Sequence, residues 1–346
     1  MRLLITDPLH PVVQSTIARL KDRALEDGDT WTVLGLTTRA EAAHPPALDG
    51  LVTGPAPDDP VWGRCLLDLA RRHRLDVVLP WTDVDARAAS AHAAALAAVG
   101  TSVACPPARL VELACDKWAT TLRLADAGIP VPESRLVRTA ADVAAAATEM
   151  GYPRQPLLLK PRGLAGGHGV WSIRPGGDLT RTAPVPRLPL EAMVAAIATS
   201  DGRAEFLLQH ELTGTDISVD VLAHDGRVIA SAVRTRGRTL GGLCVQGTVL
   251  PGFPRLDQVV CEIVQVLGWS HLANIQLIAD PGSGAVAVYE INARAAGSIG
   301  TSAHAGLDLL HAAIEYARSG EVPVVPATVP TPVGFRRFWT DQVWPL

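Results

Sequence analysis

The feature that most constrains the fold is a change of pattern after residue 150. Before it, short apolar strand candidates at residues 2–6, 31–36, 76–80 and 101–104 alternate with helical patterns at 12–23, 60–74 and 84–99, the last stopping at Gly100. Strands separated by helices pair in parallel, because a parallel crossover needs a helix's length of chain. Residues 106–134 read as two short helices halted by Gly128 and Pro130, and an alanine-rich helix follows within 136–150. After that strands dominate, at 157–160, 170–173, 205–209, 216–223, 228–234, 273–279 and 286–291. Tight turns such as His224-Asp225-Gly226 join several of them, which implies a largely antiparallel region. Helices interrupt it at 188–199, 256–267 and 307–319, residues 176–189 read as a surface loop, and 335–339 as a final strand or a dimer contact. The expected fold class is α/β followed by α+β.

Composition narrows the function classes. A length of 346 residues gives room for more than one domain, and 48% hydrophobic with 19% charged residues excludes disorder for most of the chain. A net charge of −4 without a basic block argues against nucleic acid as a partner. No uninterrupted apolar run is long enough to span a membrane, and the N-terminus lacks signal-peptide features, so the expected location is cytoplasmic. The five cysteines form no CxxC pair and are expected as reduced, mostly buried thiols. Only three lysines occur, Lys21, Lys117 and Lys160, against 28 arginines. The two cations are not interchangeable where a slim point charge is needed, which singles out Lys117 and Lys160.

Two segments carry chemistry. The strand ending at Lys160 leads into Pro161-Arg162-Gly163-Leu164-Ala165-Gly166-Gly167-His168-Gly169-Val170. Glycines let backbone N–H groups turn toward one anion beside the lysine, so this reads as a phosphate cradle or as a flexible hairpin turn. It is neither a Walker A loop nor a dinucleotide fingerprint. Further on, a turn at 280–284 would set Gln276 beside Glu290, with Asn292 on the same face and Arg294 next along the strand. Three oxygen donors suit Mg²⁺; the alternative is a solvated polar face with a Glu–Arg pair. Asp83 and Asp85 follow a strand, where they serve either a ligand or a helix N-cap.

Together these segments resemble the ATP-grasp superfamily, in its carbamoyl-phosphate-synthase-like branch. The resemblance also rests on Cys115-Asp116-Lys117-Trp118 with Gly128-Ile129-Pro130-Val131-Pro132, on Leu208-Gln209-His210-Glu211-Leu212-Thr213-Gly214-Thr215-Asp216, and on Glu290-Ile291-Asn292-Ala293-Arg294. It implies a pre-ATP-grasp domain at 1–112 and an ATP-grasp domain at 113–346, divided into a nucleotide-binding lid at about 134–211 and a metal and substrate subdomain at about 212–346. It implies that ATP phosphates meet Lys117, Lys160 and the loop residues Gly163, Gly166, Gly167, His168, Gly169 and Val170. Gln209, His210, Glu211 and Leu212 would hold adenine, and Asp216 the ribose. Gln276, Glu290 and Asn292 would hold two Mg²⁺ ions, with Mn²⁺ as a substitute. Arg294, with Arg234, Arg236 and Lys160, would stabilise the transferred phosphoryl group. His210, Asp216, Ala293 and Gln276 depart from the common family residues.

The implied reaction activates a small carboxylic acid, an amino acid above all, as an acyl phosphate and joins it to an amine, giving ADP and phosphate in specialised metabolism. Residues 236–242 and 297–304 are candidate acceptor segments, the latter otherwise a tight connector. The alternatives are an inactive or regulatory ATP-binding module and a carboxylate kinase without an amine acceptor. A homodimer and a carrier-protein partner stay open.

Overall fold

The computed structural model describes residues 1–40, 44–163, 169–176, 185–199, 204–240 and 242–338. The first sheet is parallel. It contains β1 (Arg2–Thr6), β2 (Thr32–Thr37), β3 (Gly50–Thr53), β4 (Val77–Leu79) and β5 (Ser102–Val103) in the order β3-β2-β1-β4-β5. Its helices are α1 (Val13–Glu26), α2 (Trp62–His73), α3 (Asp83–Ala91) and α4 (Ala93–Ala97). Thr82 and Asp85 form a capping box that starts α3, so Asp85 serves the helix end. The single helix expected at 84–99 is two, broken at His92, whose ring packs directly over Gly63 of α2.

Two short helices, α5 (Ala108–Cys115) and α6 (Lys117–Asp126), lead into the second sheet. That sheet runs β6-β10-β7-β8-β9, from β6 (Ser134–Val137), β7 (Leu157–Pro161), β8 (Trp171–Ile173), β9 (Arg187–Leu188) and β10 (Phe206–His210). It is covered by α7 (Ala140–Glu149) and α8 (Leu190–Ala198). α7 falls within the 136–150 expected to contain a helix and starts at a Thr139–Asp142 capping box, with β6, which the sequence reading does not include, just ahead of it.

The third sheet runs β13-β14-β12-β11-β15-β16, with β17 paired to β14. Its strands are β11 (Thr215–His224), β12 (Arg227–Thr235), β13 (Arg238–Leu240), β14 (Leu243–Leu250), β15 (His271–Ala279), β16 (Val286–Asn292) and β17 (Val333–Arg336). The helices are α9 (Pro254–Leu267), α10 (Gly300–Ala303) and α11 (Leu309–Ser319). Residues 335–336 thus lie in a strand, as one of the two sequence readings has it. Gly214, at the joint between the second and third sheets, has φ +143°, and a Cβ there would sit 2.4 Å from the Ala279 carbonyl oxygen, so only glycine fits.

Alternation divides the third sheet by face. Ile217, Val219, Val221, Ile275, Leu277 and Val288 pack on α9. On the opposite face, Leu222, Ala230, Ala232 and Leu272 join α11 and the first sheet in one core. The same face turns polar further along β11 and β15. No helix among the described residues is long and apolar enough to cross a membrane. The five cysteines are unpaired; Cys105 and Cys244 are buried and Cys261 is exposed.

Two buried polar groups make stability predictions. His271 is fully enclosed; Nε2 donates to the Ala313 carbonyl at 3.0 Å and Nδ1 has no partner. Burial lowers its pKa to about 4 from 6.5, so the folded chain holds the neutral ring. This contribution is complete above pH 6.5 and is lost as pH falls through 4. The unfolding free energy from urea titrations should drop over that window by on the order of 3 kcal/mol, and a His271→Phe variant should lose that part of the pH slope. Arg234 and Asp220 form an ion pair that is almost wholly buried. Asp220→Ala strands the guanidinium and should cost about 3–5 kcal/mol in chemical denaturation.

Candidate active site

The polar face is built by strand register. Across β12, β11, β15 and β16, Arg234 lies opposite Ser218, Ser218 opposite Gln276, and Gln276 opposite Glu290. The next row is Asp220, Asn274 and Asn292. Directly opposed residues and their i±2 neighbours share one face, so four strands direct polar side chains to the same side. Asn274 Nδ2 donates to Ser218 Oγ at 2.7 Å and to Asp220 Oδ1 at 2.8 Å, and Gln276 Nε2 donates to Asn274 Oδ1 at 3.1 Å. Arg234 belongs to this layer, donating to Ser218 and paired with Asp220. Its guanidinium is consumed there and supports the face from within the sheet.

Two lysines converge on Glu290. Lys160, at the end of β7, is 5% exposed, and its ammonium donates to the Tyr289 carbonyl at 2.9 Å. Burial pulls its pKa down to about 8; the Glu290 charge opposes that fall and the Lys117 charge adds to it. Lys117, the first residue of α6, lies 3.5 Å from Glu290 Oε1. Asp116 caps α6 by accepting from the Trp118 and Ala119 N–H groups, and it pairs with Arg162, which also bonds Glu205. Lys117 N–H donates to the Arg162 carbonyl at 3.2 Å. This chain of contacts ties α6 to the second sheet and holds both ammonium groups over the third. Two cations around one anion leave a local positive excess that suits a polyphosphate.

At the rim, each Asp216 oxygen has an internal partner: Arg236 Nε donates at 3.0 Å and the Tyr289 hydroxyl at 2.9 Å. Burial raises the Asp216 carboxyl against the lowering charge of Arg236. Tyr289 is absent from the sequence expectations because alternation sets it on the side opposite Glu290. A register shift between Gln276 and Leu277 leaves Tyr289 without an opposed residue and lets it reach Asp216. Arg294, just past β16, is paired with Asp83 at 2.8 Å. Asp83 therefore has a partner across the two sheets, a contact no local pattern could reveal.

The residues at 209–212 lie elsewhere, on β10 and its exit. Gln209 is buried, and its Nε2 donates to Ser134 Oγ at 2.7 Å. The N–H groups of His210 and Glu211 are used by the Glu133 and Pro156 carbonyls, and Glu211 is paired with Arg174 at 2.8 Å. Leu212 follows at the joint between sheets. Of the loop, Gly163, Gly169 and Val170 are described; Gly166, Gly167 and His168 lie outside the described residues. Gly169 has φ +70° and leaves no room for a Cβ against Pro161.

The donor set on the polar face is oxygen only: the Glu290 carboxylate and the amides of Gln276 and Asn292. No group of three or more His, Cys, Asp or Glu that could hold a metal occurs among the described residues. Asn292 is 4% exposed; its Oδ1 accepts only a long contact, 3.5 Å, from Arg294 Nη2, and its Nδ2 has no partner among the described residues. One carboxylate plus neutral oxygens fits Mg²⁺, which takes few protein ligands and keeps phosphate and water oxygens.

The model of the family "ATP-grasp in the biosynthetic pathway with Ter operon" matches residues 203–341. The biotin carboxylase domain of Hydrogenobacter thermophilus 2-oxoglutarate carboxylase, solved with MgADP, ADP and bicarbonate, superposes with a TM-score of 0.69 at 18% identity, over 93% of this chain and 70% of that one. The Staphylococcus aureus N5-carboxyaminoimidazole synthetase, complexed with ADP, gives 0.69 at 15% identity, over 96% and 80%. A stretch of 59 residues, 17% of the chain, is 48% identical to cyanophycin synthetase from Geminocystis herdmanii, of which the chain spans only 6%. The family model thus lies over the polar face, and the likeness to the solved structures in fold runs through all three sheets.

Proposed function

We propose that the chain is an ATP-dependent carboxylate–amine ligase. The observation that carries this reading is the convergence of Lys117 and Lys160 on Glu290 above a row of oxygen donors. On this reading residues 1–112 form the pre-ATP-grasp unit and 113–346 the ATP-grasp unit, with the lid at about 134–211. Solved structures of similar fold hold ADP, and on this reading a nucleotide's phosphates would meet the two lysines, with adenine along 209–212. Asp216 takes the ribose hydroxyls once Arg236 or Tyr289 yields an oxygen.

Glu290, Gln276 and Asn292 would hold Mg²⁺. When bound, the ion neutralises phosphate charge and polarises the terminal phosphoryl group. Lys160, Lys117 and Arg294 stabilise the charge that develops as that group passes to the acid. Asp83 keeps the Arg294 guanidinium in place. No side-chain nucleophile is required, because the amine of the second substrate attacks the acyl phosphate. The chain's residues contribute positioning and exclusion of water, which would hydrolyse that intermediate. The acid is small, with an amino acid favoured.

Phosphate release from ATP and Mg²⁺, measured over a panel of amino acids with hydroxylamine as a surrogate amine, tests the reading. Release dependent on one acid, with a hydroxamate formed, is expected; ATP binding without acid-dependent release over the panel overturns it. Glu290→Ala should lower that release by at least about a hundredfold while leaving the circular dichroism spectrum unchanged, since it removes a charged oxygen donor at a polar face.

A further inference from the structure

The order β3-β2-β1-β4-β5 places the topological switch of the first sheet between β1 and β4. In open α/β sheets, ligands sit in the crevice beyond the carboxyl ends of the strands at such a switch. The side chains there are His10, after β1, and Trp81 and Asp83, after β4. His10 Nδ1 is buried and has no partner among the described residues. Its ring lies 6.3 Å from that of Trp81. Burial and the charges of Arg294 and Arg337 lower the His10 pKa.

Gly297 and Arg337 close the crevice from the third-sheet side. Arg337 Nη2 donates to the Gly297 carbonyl at 2.8 Å and Nε to the Cys244 carbonyl at 3.1 Å. A Cβ on Gly297 would lie 3.8 Å from His10 Cε1, so the imidazole and the guanidinium border the same glycine.

Among the described residues, Arg337 differs from the arginines near it in having no acid partner. Arg234 pairs with Asp220, Arg236 with Asp216 and Arg294 with Asp83. Arg337 bonds only carbonyls and has no carboxylate within ion-pair distance among the described residues. A guanidinium carries five N–H donors in a fork matched to a carboxylate. A partly buried one with spare donors and no acid is half of an ion pair.

We propose that His10 and Arg337 form a subsite for a non-reacting carboxylate, that of the amine substrate, so that the nucleophile joined by this chain is an amino acid. The inference rests on the ligase reading. The reacting carboxylate belongs nearer Glu290 and Asn292, where Arg294 leaves β16. Arg337 is anchored three residues further along that connector, at Gly297. The His10 ring, with its buried Nδ1 unused, offers an N–H donor, and its Trp81 neighbour gives an apolar wall.

The test is the melting temperature of the full chain with ADP and Mg²⁺, over the amino acids and their α-amides. At least one amino acid should stabilise the protein, binding about tenfold tighter than its amide, the discrimination expected of one charge-assisted pair. Arg337→Gln should lose about tenfold in that affinity and become indifferent to amidation, and His10→Phe should weaken the same preference. If Arg337→Gln already melts lower without ligand, His10→Phe decides. Equal stabilisation by acid and amide, an unchanged preference in both variants, or no stabilisation by any amino acid overturns the subsite. Hydroxamate formation by the unmodified chain keeps the two readings apart. Its absence defeats the ligase reading. Its presence, with acid and amide bound alike, defeats the subsite alone.

Discussion

Two ammonium groups held against one carboxylate are the constraint on which the rest of the site depends. Lys160 is buried from the second sheet, Lys117 opens α6, and Glu290 stands on the third sheet. Like charges this close repel, and desolvation adds to the cost of keeping Lys160 charged. The pKa of about 8 records that cost. A multiply charged anion relieves it, so the cluster favours a bound polyphosphate over the empty cleft. The Asp116–Arg162–Glu205 chain holds the arrangement together from the side opposite the ligand.

The third sheet supports this by dividing one face into two halves. Leu222, Ala230, Ala232 and Leu272 fuse it to the first sheet. A few residues along the same strands, Ser218, Asp220, Asn274 and Arg234 form a hydrogen-bonded layer with almost no water access. Such a layer is rigid because every displaced member leaves a buried polar group unpaired. Gln276, Glu290 and Asn292 stand beside it, so their directions are set by a dry network rather than by solvent.

Much of this was legible in the sequence, for identifiable reasons. The parallel sheet followed from strand–helix alternation. The side-by-side placement of Gln276 and Glu290 followed from period-two geometry across a short turn, and the register has them opposed. The buried layer was not among the sequence expectations, although polar residues at every second position, Ser218 with Asp220 and Asn274 with Gln276, are the signal that could have found it. What escaped depends on departures from period or on distant partners. Tyr289 enters the site through a bulge, and the Arg294–Asp83 pair joins residues from different sheets. β6 was hidden because Leu136 and Val137 also fit a helical pattern running into α7. β3 and β14 are short or interrupted by Gly247, so neither stood out.

The scarcity of lysine now has a local explanation at Lys160. Its slot is almost closed, and the ammonium bonds the Tyr289 carbonyl. An arginine there would bring a wide planar group with five donors into a space that offers few acceptors until a ligand arrives. Unpaired donors in a dry site are costly, and a guanidinium cannot shed its charge to reduce the penalty. An ammonium can, as its lowered pKa indicates. Arg337 shows the converse case. Two carbonyls already satisfy part of its fork, so a planar cation with several donors is the better fit there. The choice between the two cations thus follows from how enclosed each position is before a substrate binds.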